Sequence, residues 1–279
     1  MKEIRLTELL AAQYAYHLRE EEKSRITIEK YLRDVRSFAR YLGGQYITKD
    51  AVITYKQQLL NQGYALRSVN SMLAAVNSFL TFCGLTDCRV RLCRMQREIY
   101  QRAERELSRA EYLRLLRAAE GDRRLWLLMQ TICSTAIRVS ELNYFTVEAV
   151  RRGEVSVACK NKSRKILLPG KLQKLLLRYA RAIGITGGVI FRTRNGKPLD
   201  RSNIWAAMKR LCARAKIDPG KVFPHNLRKL FARTFYDLEK DIAKLADVLG
   251  HSSINTTRIY IMTTGQEHRR QLERLRLLA

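Results

Sequence analysis

Apolar residues recur in steps of three and four through most of the first ninety residues, the spacing that builds one face of an α-helix. Ile28, Tyr31, Leu32, Val35, Phe38, Ala39 and Leu42 form one such stripe, with Thr27 as its expected N-cap and Gly43-Gly44 as its stop. Thr48 is placed to cap the next helix, which turns Val52, Tyr55 and Leu59 inward. A third helix follows Leu66 and carries Val69, Met72, Leu73, Val76, Phe79 and Leu80. With a helix near residues 7–20, the pattern predicts a four-helix bundle, the size of a small domain.

The periodicity fades between Cys88 and Arg105, where Arg89, Arg91, Arg94, Arg97, Arg102 and Arg105 accumulate. That stretch reads as a solvated basic linker. Ser108-x-x-Glu111 is a capping box that opens a second domain, with Leu107, Leu113, Leu116 and Ala119 as the apolar positions of its first helix. A further helix runs through Trp126, Leu127 and Met129 toward Cys133. Glu154–Cys159 and Ile166–Leu168 read as short strands around a basic turn, Lys160 to Arg164. Val189–Phe191 and Asn195-Gly196 suggest another strand and turn, and helices resume at Ser202. The expected organisation is a helical domain over 1–95, a linker over 96–105 and a mainly helical domain with a small β-sheet over 106–279.

Charge narrows the function. Lys and Arg number 53 against 26 Asp and Glu, a formal net charge of +27 that points to a polyanionic partner. The excess is uneven: residues 1–100 hold 16 basic and 10 acidic residues, and residues 101–279 hold 37 and 16. Apolar residues make up 46 % of the chain, too many for a disordered basic tail. Lys2, Glu3, Arg5 and Glu8 interrupt the start, against a signal peptide, and the longest apolar runs are too short for a membrane span. A cytoplasmic protein is expected. Cys83, Cys88 and Cys93 are spaced five apart with no histidine nearby, unlike zinc ligands, so the six cysteines read as free thiols.

Seven residues carry candidate chemistry. Arg138 lies at a turn entering a helix, where an anion would be welcome, although pairing with Glu141 is the plainer reading. His225 and Arg228, three apart after Pro224, share a helix face. His251 follows Gly250, a natural helix terminator, and so could merely complement a helix dipole. Tyr260, one of 13 tyrosines, follows nine residues later. Lys160 and Lys162 sit on the basic turn, where an ammonium could protonate a leaving alkoxide.

The order and spacing of these residues resembles the tyrosine recombinase (phage-type integrase) family, in its short two-domain Xer-like form. The matching residues are Arg138-Val-Ser-Glu-Leu, Lys160, His225-Asn-Leu-Arg228, Leu249-Gly250-His251 and Tyr260. Members often carry Gly-Lys-Gly-x-Lys at the hairpin, where this chain has Cys159-Lys160-Asn161-Lys162. Lys160 matches best by its offset from Arg138, with Lys162 and Lys165 as alternatives.

The resemblance implies a SAM-like core-binding bundle and an α+β catalytic domain. It also implies site-specific breaking and rejoining of double-stranded DNA through a 3′-phosphotyrosine. Tyr260 would be the nucleophile, Arg138 and Arg228 the phosphate clamp, His225 the proton acceptor, Lys160 the proton donor and His251 a phosphate ligand, with Glu141 as a brace. No cofactor, metal, membrane or small-molecule substrate is expected. Four protomers would act on two DNA sites, the tail with Leu272, Leu275, Leu277 and Leu278 packing on a neighbour or folding back on its own domain. The rival readings are a type IB topoisomerase-like enzyme and a non-enzymatic DNA-binding protein.

Overall fold

The computed structural model describes residues 3–95, 106–159, 162–193, 195–262 and 265–275. The chain divides into two compact units, Met1–Arg97 and Glu98–Ala279.

In the first unit four helices, α1 (Glu8–Glu20), α2 (Arg25–Leu42), α3 (Lys49–Asn61) and α4 (Leu66–Phe82), enclose one core. Tyr14, Leu18, Val35, Phe38, Val52, Leu73, Val76 and Phe79 are buried there, along the stripes read from the sequence. Thr48 caps α3 through the Ala51 amide, and Gly43 ends α2 in the left-handed region at φ 57°. The start of α2 differs from expectation. Ser24, not Thr27, is the N-cap, its hydroxyl accepting the Thr27 amide at 3.3 Å. The serine is in extended geometry, and Thr27 sits one turn in, where a cap cannot act.

The stretch after Cys88 also differs. Through Cys93 it is not a solvated linker but an extended strap fastened to α3 and α4. Asn77 donates to the Val90 carbonyl at 2.8 Å and accepts its amide at 3.0 Å. Asn70, two turns earlier, does the same with Cys93 at 2.9 and 2.7 Å. Lys56 donates to the Arg91 carbonyl. Side-chain amides here replace the ladder partners that an isolated extended segment lacks. The expected linker, 96–105, lies outside the described residues.

The second unit is helical around one β-hairpin. Its helices are α5 (Arg109–Ala118), α6 (Arg123–Thr135), α7 (Val147–Arg152), α8 (Gly170–Ala182), α9 (Arg201–Arg210), α10 (Cys212–Ala215), α11 (Pro224–Glu239), α12 (Ile242–Leu249), α13 (Ile254–Ile261) and α14 (Gly265–Arg274). The Ser108–Glu111 capping box forms as read. It sets the phase of α5 so that Leu115 and Ala118 face the core while Leu113 is exposed, contrary to the expected stripe.

The hairpin pairs β1 (Glu154–Cys159) with β2 (Lys162–Leu167) antiparallel. Pairing extends to Cys159 opposite Lys162, so Lys162, Ser163 and Arg164 are strand residues rather than turn. Cross-strand register puts Arg164 opposite Val157 and Ile166 opposite Val155, on the buried face. Val189 forms only an isolated bridge with Thr146, so no strand develops at 189–191.

At the far end, Arg233 on α11 holds Glu267 of α14 at 3.0 Å and also pairs with Glu106. Leu272 and Leu275 are exposed, while Leu277 and Leu278 lie outside the described residues. Among the described residues no helix is long and apolar enough to cross a membrane, and no cluster of His, Cys, Asp or Glu has the makings of a metal site.

Candidate active site

Two helix ends and one helix start converge on Arg228. Pro224 occupies the first turn of α11, where its fixed φ suits the helix and its missing N–H costs nothing. One turn on, Arg228 points inward and is 1 % exposed. Its Nη1 donates to the Ala136 carbonyl, and its Nη2 donates to the Leu249 carbonyl at 2.7 Å. Ala136 is the left-handed C-cap of α6 (φ 53°), and Leu249 is the last residue of α12. Both carbonyls belong to the negative ends of helix dipoles, which steady a buried cation. Burial first, then the nearby Arg138 charge, lower the Arg228 pKa to about 10, so the group stays cationic at neutral pH. Among the described residues it has no carboxylate partner. A buried guanidinium held by two neutral carbonyls and the neutral His251 ring is a seat for an arriving anion.

Arg138 precedes a 3-10 helix, Val139–Tyr144, and is closed onto it by Glu141. The carboxylate accepts the Arg138 amide at 2.8 Å and its Nη1 at 2.9 Å. The ion pair foreseen from the sequence therefore forms. It does not consume the group, because the Arg138 side chain remains 40 % exposed. Glu141 is buried and also accepts from Arg164 Nη2 at 2.6 Å. Arg164 Nη1 goes on to the Val248 carbonyl at the end of α12. The sequence reading passed over Arg164. Its one signal was a charged residue at the inward parity of β2, two positions from Ile166.

Tyr260, on α13, packs with Ala136, Ala232, Leu245 and Leu249 and is nearly buried. Its ring stands edge-on to His225 at 5.2 Å between centroids and tilted to His251 at 5.0 Å. The Arg228 guanidinium lies 5.9 Å from its centroid. The phenol thus lies among two imidazoles and a buried cation.

Both histidines are neutral. Desolvation first, then Lys229, Arg228, Arg201 and Arg138, pull His225 down to about 4. Desolvation first, then Arg228, Arg138 and Arg164, do the same for His251. His251 therefore does not serve α12 as a charged dipole complement. Gly250 terminates α12 at φ 62°, which turns the His251 ring toward Arg228 Nη2 (3.1 Å from Nε2) and Thr257 Oγ1 (2.9 Å from Nδ1). Thr257, fully buried on α13, was also missed; a single threonine carries no distinguishing pattern.

The structure thus brings Arg138, His225, Arg228, His251 and Tyr260 into one pocket. Lys160 lies outside the described residues. Lys165 projects from the outer face of the hairpin and pairs with Glu154 at 3.2 Å, on the side away from Arg164. Such an assembly can clamp a phosphodiester between two arginines, present a phenol in line and accept its proton on a neutral imidazole.

Comparison with known proteins finds relatives of both units. The family model described as "Phage integrase family" matches residues 105–267, and "Phage integrase, N-terminal SAM-like domain" matches residues 11–84. Tyrosine recombinase XerA of Pyrococcus furiosus is 28 % identical over 286 residues, spanning 100 % of this chain and 98 % of its own. A lambda integrase(75-356) dimer bound to a COC' core site shares the fold at TM-score 0.76 and 17 % identity, over 94 % of this chain and 97 % of that one. A lambda integrase tetramer bound to a Holliday junction matches at TM-score 0.75 and 18 % identity, over 93 % and 78 %.

Proposed function

The chain belongs to the phage integrase family, and on that premise we propose how its residues carry out recombination. The protein is a tyrosine-type site-specific DNA recombinase, an enzyme that breaks and rejoins DNA strands.

Tyr260 Oη attacks the scissile phosphorus while the bond to the 5′ oxygen breaks. His225, neutral and beside the phenol, takes the tyrosine proton. Arg228 and Arg138 hold the non-bridging oxygens, where charge gathers in the transition state. Lys160 delivers a proton to the departing 5′ oxygen, leaving a 3′-phosphotyrosine and a free 5′ hydroxyl. Attack by a 5′ hydroxyl from a second strand reverses the chemistry and releases Tyr260. The phosphoryl bond is conserved throughout, so the exchange needs no nucleotide hydrolysis. Affinity for duplex DNA rests on phosphate contacts and falls steeply with salt. Four copies act on two sites, in keeping with the tetrameric lambda integrase of like fold.

The observation that carries this reading is the nearly buried Tyr260 phenol set among His225, His251 and the buried Arg228. The recombinase relatives disfavour a type IB topoisomerase, and the assembled site disfavours a binding protein without chemistry. The test is a nicked suicide duplex drawn from sequence flanking the gene. A denaturant-resistant protein–DNA adduct is expected, mapping by peptide mass to Tyr260, and Tyr260→Phe should bind the duplex without forming it. An adduct on another residue, or one that persists in Tyr260→Phe, refutes the assignment.

A further inference from the structure

His251 touches two groups of unequal chemistry. Arg228 Nη2 is 3.1 Å from Nε2, and a guanidinium can only donate. The Nε2 position must therefore be a bare lone pair. The ring is neutral, so its single proton sits on Nδ1 and is donated to Thr257 Oγ1 at 2.9 Å. In this state His251 has no donor to offer a phosphate. Its Nε2, the atom facing the pocket and Arg228, is an acceptor.

A phosphate in the pocket changes the demand. Arg228 Nη2 turns from the imidazole to a phosphate oxygen, and Nε2 then faces an anion that accepts only. Of the two groups, only Thr257 can answer the change, because a hydroxyl accepts and donates. We infer that Thr257 is a positioning residue that lets His251 exchange tautomers: Nδ1–H donating to Thr257 in the free enzyme, and Nε2–H donating to the phosphate in the complex. In the second state the Thr257 hydroxyl turns to donate to Nδ1. One proton leaves Nδ1 for water and one reaches Nε2 from water, so the ring stays neutral and no net proton is taken up. The inference rests on the recombinase reading for the identity of the phosphate.

The location of Thr257 adds a consequence. It is three residues before Tyr260 on α13, on the same face of that helix. Docking of α13 therefore delivers the nucleophile and the partner that orients His251 in one movement. With α13 undocked, Nδ1 loses its acceptor and His251 its fixed ring.

The test is nitrogen-15 NMR of the histidine rings, which separates protonated from bare ring nitrogens. In the free protein at neutral pH, His251 should show a bare Nε2 and a protonated Nδ1. Addition of short duplex DNA of arbitrary sequence to Tyr260→Phe should move the proton to Nε2. Thr257→Ser should reproduce both states and keep suicide-substrate cleavage near the parent rate. Thr257→Val, of the same shape, should keep the bare Nε2 that Arg228 imposes on the free protein, leave Nδ1 without a donor in the complex and slow cleavage by about tenfold at unchanged DNA affinity. A protonated Nε2 in the free protein overturns the inference. So does a doubly protonated ring in the complex, since that is a charged state rather than a tautomer. If Thr257→Val does not fold, the free-protein tautomer and Thr257→Ser still decide the matter. Failure of Tyr260 to form an adduct would sink the recombinase assignments but leave the free-state tautomer standing, so the two failures are distinguishable.

Discussion

Glu141→Gln should be costly well beyond the loss of one surface charge. The carboxylate is buried, with a side chain 4 % exposed, and serves three donors: the Arg138 amide, Arg138 Nη1 and Arg164 Nη2. Glutamine has one acceptor oxygen, and its amide would face a guanidinium donor to donor. A hydrogen bond to a charged group contributes about 1.5–3 kcal/mol. The Arg164 bond deserves most of that range, because its side chain is only 17 % exposed. The Arg138 bond is discounted to below about 1 kcal/mol for solvent screening. The expected cost is about 3 kcal/mol, at the low end for breaking a buried pair.

Trp126 and Trp205, the two tryptophans, both lie in the Glu98–Ala279 unit, so their fluorescence follows its unfolding in urea. Arg164→Met supplies the other corner of a double-mutant cycle. The two substitutions remove the same interaction, so the double variant should be less destabilised than their sum by at least about 1.5 kcal/mol. Additivity within about 0.5 kcal/mol, or a cost for Glu141→Gln under about 1 kcal/mol, refutes the shared-carboxylate account.

Three further outcomes are expected. Lys160→Ala should cleave an ordinary phosphodiester poorly and recover on a 5′-thio leaving group, which needs no proton; rescue confined to Lys162→Ala would transfer the role to that residue. His225 and His251, with pKa values lowered to about 4, should remain neutral by NMR well below the usual 6.5. The unfolded chain takes up those protons first, so their contribution to stability is complete above pH 6.5 and is lost as pH falls toward 4; urea midpoints should fall over that window, less in His225→Gln or His251→Gln, and NMR midpoints near 6.5 would refute the account. Gly250→Ala should destabilise by about 2 kcal/mol, since it strains a positive φ and its Cβ would stand 2.6 Å from Arg164 Cδ, whereas Gly43→Ala meets nothing within 4 Å and should cost about 1 kcal/mol; equal costs in urea unfolding would count against the packed Arg164.

The sequence by itself determined what depends on neighbours within a turn or two. The apolar stripes of α2, α3 and α4, the Thr48 cap, the Ser108–Glu111 box, the Gly43 and Gly250 terminators and the Arg138–Glu141 pair are interactions across four residues or fewer. Helix geometry alone brings such positions together. The linear order from Arg138 to Tyr260 was legible for another reason: side-chain chemistry and spacing are written directly in the chain. The cap of α2 and the phase of α5 were misplaced because several nearby residues satisfied the same local rule.

Tertiary structure decided what local rules cannot reach. Arg228 meets the Ala136 carbonyl 92 residues away, and Arg164 meets the Val248 carbonyl 84 residues away. No periodicity encodes those encounters, because they depend on how helix ends dock around a common core. The same docking leaves Arg228 without a carboxylate among the described residues, empties both histidines of charge and sets Thr257 against His251. Solvent exclusion does this work: it raises the cost of an unpaired charge and so fixes which groups stay cationic, which stay neutral and which await a phosphate.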